Sequence, residues 1–77
     1  MTDEQRKQNM LNRMNDALAK INAAKEDFTF ARYDSRKLYE GFEDADVIDD
    51  EFTETISELR EQSETLTNWI GRLEIDV

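Results

Sequence analysis

The sequence predicts an all-α fold. It is an antiparallel two-helix hairpin, with a long helix 1 over about residues 3–40 and helix 2 over about residues 50–75. Three observations carry that expectation. Met10, Met14, Ala17, Ile21, Ala24, Phe28, Ala31, Ser35, Leu38 and Phe42 follow one another at alternating spacings of four and three. A stripe recurring every 3.5 residues marks a long helix that lies along another helix. The same rhythm returns in Phe52, Ile56, Leu59, Ser63, Leu66, Ile70, Leu73 and Val77, and the chain has no proline and only Gly41 and Gly71 to interrupt it.

Helix 1 should open at Thr2-Asp3-Glu4-Gln5, a capping box in which the Thr2 hydroxyl takes a free backbone N–H and Gln5 reaches back. Asp3 and Glu4 suit the positive end of the helix. The weak stretch is Phe28-Thr-Phe-Ala-Arg-Tyr-Asp-Ser35, whose aromatic and short polar residues are poor helix formers and partly alternate like a strand. The heptad runs straight through it, so the helix is kept. Gly41 fits a left-handed C-cap. A short acidic connection, Phe42 to Asp49, then leads to Asp49 or Asp50 as the cap of helix 2, with Glu51 in its first turn.

A short connection makes the helices antiparallel neighbours. Folding about residue 45 pairs positions whose numbers sum to 90 or 91: Leu38 with Phe52, Ser35 with Ile56, Ala31 with Leu59, Phe28 with Ser63. The series continues with Ala24 on Leu66, Ile21 on Ile70, Ala17 on Leu73 and Met14 on Val77. Large residues then oppose small ones, as interdigitated packing requires. On the flanks the register puts Arg13 near Asp76 and the Lys20 stem near Trp69, and places Gly71 on the outer face.

The 77 residues form a single helical-hairpin domain, 1–77, and the absence of cysteine and histidine removes disulfides, thiolate or imidazole metal sites and Cys- or His-based catalysis. No apolar run reaches the length of a membrane span or a signal-peptide core. The expected location is the cytoplasm, a host cytoplasm if the chain is phage-encoded. Small size calls for some other help with stability, and self-association is what remains. In the pairing above, the first turns of helix 1 overhang helix 2. Met10, Leu11, Met14, Leu18 and Trp69 then form an apolar patch for a homodimer, most simply a four-helix bundle, or for a different protein. Phe42, Val47 and Ile48 add a second apolar group at the turn.

The net charge of −9 is unevenly placed: residues 1–39 carry eight basic and six acidic side chains, residues 40–77 two and thirteen. Glu51, Glu54, Glu58, Glu61 and Glu64 share one outward face over about 20 Å at 1.5 Å per residue, and Asp44, Asp46 and Asp50 extend the acidic field around the turn. An ordered carboxylate row can imitate nucleic-acid phosphates and engage a basic protein surface. On the back of helix 1, Phe30 and Tyr33 point outward among Arg32, Arg36 and Lys37. They suit a protein-partner anchor better than direct nucleic-acid binding, which the overall charge opposes.

No calcium loop fits. Counting from Asp44, Asp49 falls where an EF-hand needs glycine and Thr55 where it needs glutamate. Nor is there a glycine-rich phosphate loop, and a hairpin offers its carboxylates no concave pocket. The sequence therefore leads to a non-enzymatic acidic binding module without a cofactor or metal. It would inhibit or modulate a partner with a basic, nucleic-acid-handling surface, as small phage- or plasmid-type regulators do. The alternative is a homo-oligomeric assembly adaptor acting through the apolar patch. No family motif is recognisable.

Overall fold

The computed structural model describes residues 2–76. It contains two helices, α1 (Asp3–Leu38) and α2 (Ala45–Asp76), packed antiparallel into a rod of 59 × 15 × 14 Å. The all-α hairpin expected from the heptads is present. No helix among the described residues is long and apolar enough to cross a membrane.

The capping box forms as the sequence indicates. The Gln5 N–H donates to Thr2 Oγ1 at 3.2 Å, and the Thr2 N–H donates to Gln5 Oε1 at 3.0 Å. Helix α1 is continuous through residues 28–35. Its Thr29 hydroxyl donates to the Lys25 carbonyl at 2.8 Å, so the poor helix formers are accommodated without breaking the ladder. At the end of α1, the Tyr39 N–H donates to the Ser35 carbonyl, and Gly41 turns the chain with φ +82, a left-handed conformation that glycine adopts without a Cβ clash.

Helix α2 begins earlier than the sequence suggests, at Ala45 rather than about residue 50. Its first bond runs from the Ile48 N–H to the Asp44 carbonyl, so neither Asp49 nor Asp50 is a cap. Nothing between Phe42 and Phe52 breaks a helix, and Asp46 suits the first turn, so the helix propagates back to the turn.

The shorter loop changes the register. Phe28 meets Phe52 with ring centroids 6.1 Å apart, not Ser63; Asp49 receives Arg32 and Arg36; and the Ser63 hydroxyl donates to Asn22. Facing residue numbers sum to 80–85 instead of 90 or 91. The slip is close to one heptad, which leaves the same side chains on the seam while changing every partner. Leu73 now lies at the level of Leu11, and the overhang expected at the start of α1 shrinks accordingly. The expected flank contacts are replaced as well: Arg72 pairs with Asp76 at 2.8 Å and its guanidinium stacks 5.2 Å from the Trp69 ring centre. The Met14–Val77 pair lies outside the described residues.

On α2 the seam is the predicted one, with Phe52, Ile56, Leu59, Ser63, Leu66 and Ile70 half-buried and Leu73 buried at 9% exposure. On α1 the buried face is rotated from the predicted stripe. Leu11, Leu18, Lys25, Arg32 and Tyr39 join Met14, Ala17, Ile21, Ala24 and Ser35 as half-buried positions, while Met10, Ala31 and Leu38 stay exposed. Covering Leu11 and Leu18 removes more apolar surface from water than covering alanines would, which turns the helix toward them. Among the described residues no side chain is below 2% exposed. The hairpin has a seam rather than a sealed core.

Candidate functional site: the acidic face of α2

The seam side chains of α2 fix the opposite face outward. Glu51, Glu54, Glu58, Glu61 and Glu64 are all exposed and, among the described residues, none forms an ion pair. The backbone beneath them is unbroken helix, so the row of carboxylates is held at a fixed pitch over about 20 Å. Asp44, Asp46 and Asp50 are exposed at the turn and continue the same field. The eight acidic residues named from the sequence are therefore all exposed.

Asp49 is the carboxylate set apart from this group. Arg32 donates to it in a fork, Nε to Oδ1 at 2.9 Å and an Nη2 to Oδ2 at 3.0 Å. Arg36 does the same at 2.8 and 3.3 Å. These hydrogen bonds, Arg32's first, hold the Asp49 carboxyl far below the usual aspartate range, against a smaller desolvation effect. The Arg32 guanidinium is raised in turn, chiefly by its hydrogen bond to Asp49. Reading Asp49 as a helix cap hid this double fork. The available signal was that Arg32 and Arg36 are one turn apart, so that a single carboxylate on a facing helix can reach both.

The fork also changes the back of α1. Phe30 and Tyr33 are exposed at 62% each, as expected, but Arg32 and Arg36 beside them are committed to Asp49. A small cleft of about 90 Å³ opens there between Thr29, Arg32, Tyr33 and Arg36. The predicted apolar patch is divided. Leu11, Met14 and Leu18 are half-buried against α2, whereas Met10 and Trp69 remain 46% and 47% exposed. At the turn, Phe42 packs edge-on against Tyr39 with ring centroids 5.4 Å apart, and Val47 is 59% exposed.

Two open grooves run along one side of the interhelix seam. One, of about 510 Å³, lies between Ala31, Ser35 and Leu38 of α1 and Ile48 and Phe52 of α2; the other, of about 410 Å³, is formed by Ile21, Gln62, Thr65, Leu66 and Glu61. The opposite side carries the arginine fork and the Asn22–Ser63 hydrogen bond. One side of the rod is thus polar and cross-linked, and the other is open, its grooves lined by apolar side chains with Asp34, Glu51 and Glu61 among them. No protein-family model matches the chain, and no match is found among curated proteins or solved structures.

Proposed function

We propose that the chain is a non-enzymatic binding module that presents the outer face of α2 to a basic protein surface and so occupies or inhibits it. The observation that supports this reading is the row Glu51, Glu54, Glu58, Glu61 and Glu64, exposed, unpaired among the described residues and carried on continuous helix. Like charges at three- and four-residue spacings destabilise a helix by roughly 0.2–0.5 kcal/mol per pair. A basic surface that approached them would relieve that repulsion and gain complementary charge. A surface that normally grips phosphates is the best fit, because such a surface already offers spaced lysine and arginine side chains to a line of negative charge.

The test is capture of partners from a cell extract on the immobilised protein, eluted along a salt gradient. A nucleic-acid-handling protein released at moderate salt is the expected result. Reversal of Glu54, Glu58 and Glu61 to lysine should abolish its capture while circular dichroism shows unchanged helicity, since lysine is as good a helix former as glutamate. Undiminished capture by the triple variant would sink the proposal.

A further inference from the structure

Helix α1 carries a second heptad seam on the flank of its α2-facing side, where α2 covers Ala17 and Ala24 only in part and leaves Met10, Ala31 and Leu38 exposed. Its central line is Met10, Ala17, Ala24, Ala31 and Leu38, each seven residues from the next. The ends of that line are the most exposed, Met10 at 46% and Leu38 at 72%. The line is symmetric about Ala24: a large apolar residue at either end, alanine at every step between. Beside it runs a second line, Arg13, Lys20, Asp27 and Asp34, all exposed. This one is antisymmetric about nearly the same point, basic in its first half and acidic in its second.

A segment with those two properties is complementary to itself turned end for end. When two copies of α1 are laid antiparallel with Ala24 on Ala24, Met10 faces Leu38 and Ala17 faces Ala31 of the second copy. In the same arrangement Arg13 meets Asp34 and Lys20 meets Asp27, and two-fold symmetry repeats each pair. In a parallel arrangement every one of these charges would face its own kind. From this we infer that the chain forms an antiparallel homodimer through this second seam of α1, with the two-fold axis at Ala24.

Two further observations agree. The chain exposes 6209 Å², about 1,300 Å² more than the ~4,900 Å² that a compact chain of 9.1 kDa exposes. A standard interface removes about 800 Å² per partner, so the surplus is large enough to supply one. The same two-fold axis carries Trp69, which lies at the level of residue 15 in the observed register, to the level of residue 33 of the second copy. That is where the groove between Ala31, Leu38, Ile48 and Phe52 opens. The antiparallel arrangement also puts the two acidic turns at opposite ends, about 54 Å apart at 1.5 Å per residue, well beyond the screening length at physiological salt.

The chain lacks cysteine, so single cysteines can report the geometry directly. Under mild oxidation Ala24→Cys should give a covalent dimer and Met10→Cys alone should not. A mixture of Met10→Cys and Leu38→Cys chains should cross-link to each other. Sedimentation across a concentration series supplies the second readout. Lys20→Glu alone, or Asp27→Lys alone, should raise the midpoint of dissociation by about tenfold, since symmetry counts each change twice, and the two together in one chain should restore it. Circular dichroism verifies that each variant is helical. A chain that stays monomeric at the highest attainable concentration, cross-linking of Met10→Cys with itself as fast as Ala24→Cys, or a swap that fails to restore association would each overturn the inference. These measurements use the protein alone, so their failure is separate from failure of the acidic face to bind a basic partner.

Discussion

Leu73 and Leu38 are both leucines on predicted heptad stripes, yet the structure gives them opposite roles, and truncation should separate them. Leu73 is 9% exposed and Leu38 72% exposed. Leu→Ala removes three side-chain carbons, worth about 0.8 kcal/mol each when fully buried. For Leu73 that comes to roughly 2 kcal/mol. The added cavity cost should be small, because a seam without sealed side chains can close or admit water. For Leu38 the same sum is roughly 0.6 kcal/mol, partly offset by the better helix propensity of alanine. The assay is thermal and urea unfolding followed by circular dichroism at a concentration low enough to leave the chain monomeric. L73A should lower the melting temperature by roughly 10 °C, and L38A by a few degrees at most. At concentrations where copies associate, the L38A deficit should grow, because Leu38 then faces Met10 of the second copy. Equal losses from the two substitutions in dilute solution would refute the placement of the seam.

Gly71 sits within α2, and a Cβ added there meets nothing within 4 Å, so G71A should stabilise the hairpin by up to about 1 kcal/mol, read as a higher urea midpoint. Gly41 is equally open but has φ +82, so G41A should cost about 1–2 kcal/mol through backbone conformation alone, measured the same way. Asp49 has a carboxyl held below its unfolded value, so its contribution to stability is present above the ordinary aspartate pKa of about 3.9 and is lost as pH falls through the lowered folded value. D49N should therefore melt below wild type at pH 7, with the gap closing progressively below about pH 4. A gap that is constant down to pH 2 would mean the arginine fork contributes nothing.

The heptad stripes, the Thr2–Gln5 box and the left-handed Gly41 were legible in the sequence because each rests on residues within one turn of each other. The register was not. A hairpin slipped by one heptad buries the same stripe residues, so the stripes carry no information about which pairing holds. The choice falls to the loop, and the loop length depended on whether Asp49 and Asp50 cap α2 or lie inside it. Aspartate suits a cap on propensity alone, but here two arginines on the facing helix give Asp49 a better use. The rotation of α1 was hidden for a related reason. A heptad count marks Ala17 and passes over Leu18, whereas the structure half-buries both, because covering the leucine removes more apolar surface from water. The acidic row, by contrast, was fully legible, since outward placement on α2 follows from the opposite face being apolar and survives any whole-heptad slip.

The rotation also decides which helix can meet a second copy. Thirteen acidic residues lie in positions 40–77, against two basic ones. Turning α2 toward another chain would strip water from unpaired carboxylates or set them against their own kind, both costly. Helix α1 has no such obstacle. By giving Leu11, Leu18 and the Arg32 fork to α2, it leaves at the edge of the seam a line of alanines, half-buried at Ala17 and Ala24 and exposed at Ala31, whose small side chains let another helix approach closely, flanked by charges that reverse sign halfway along. A bundle built from those constraints has α1 of both copies at its centre and α2 of both copies outside. Each acidic face then stays in water, one on either flank of the dimer and pointing away from the other, so a dimer would offer two such faces to basic surfaces where a lone hairpin offers one.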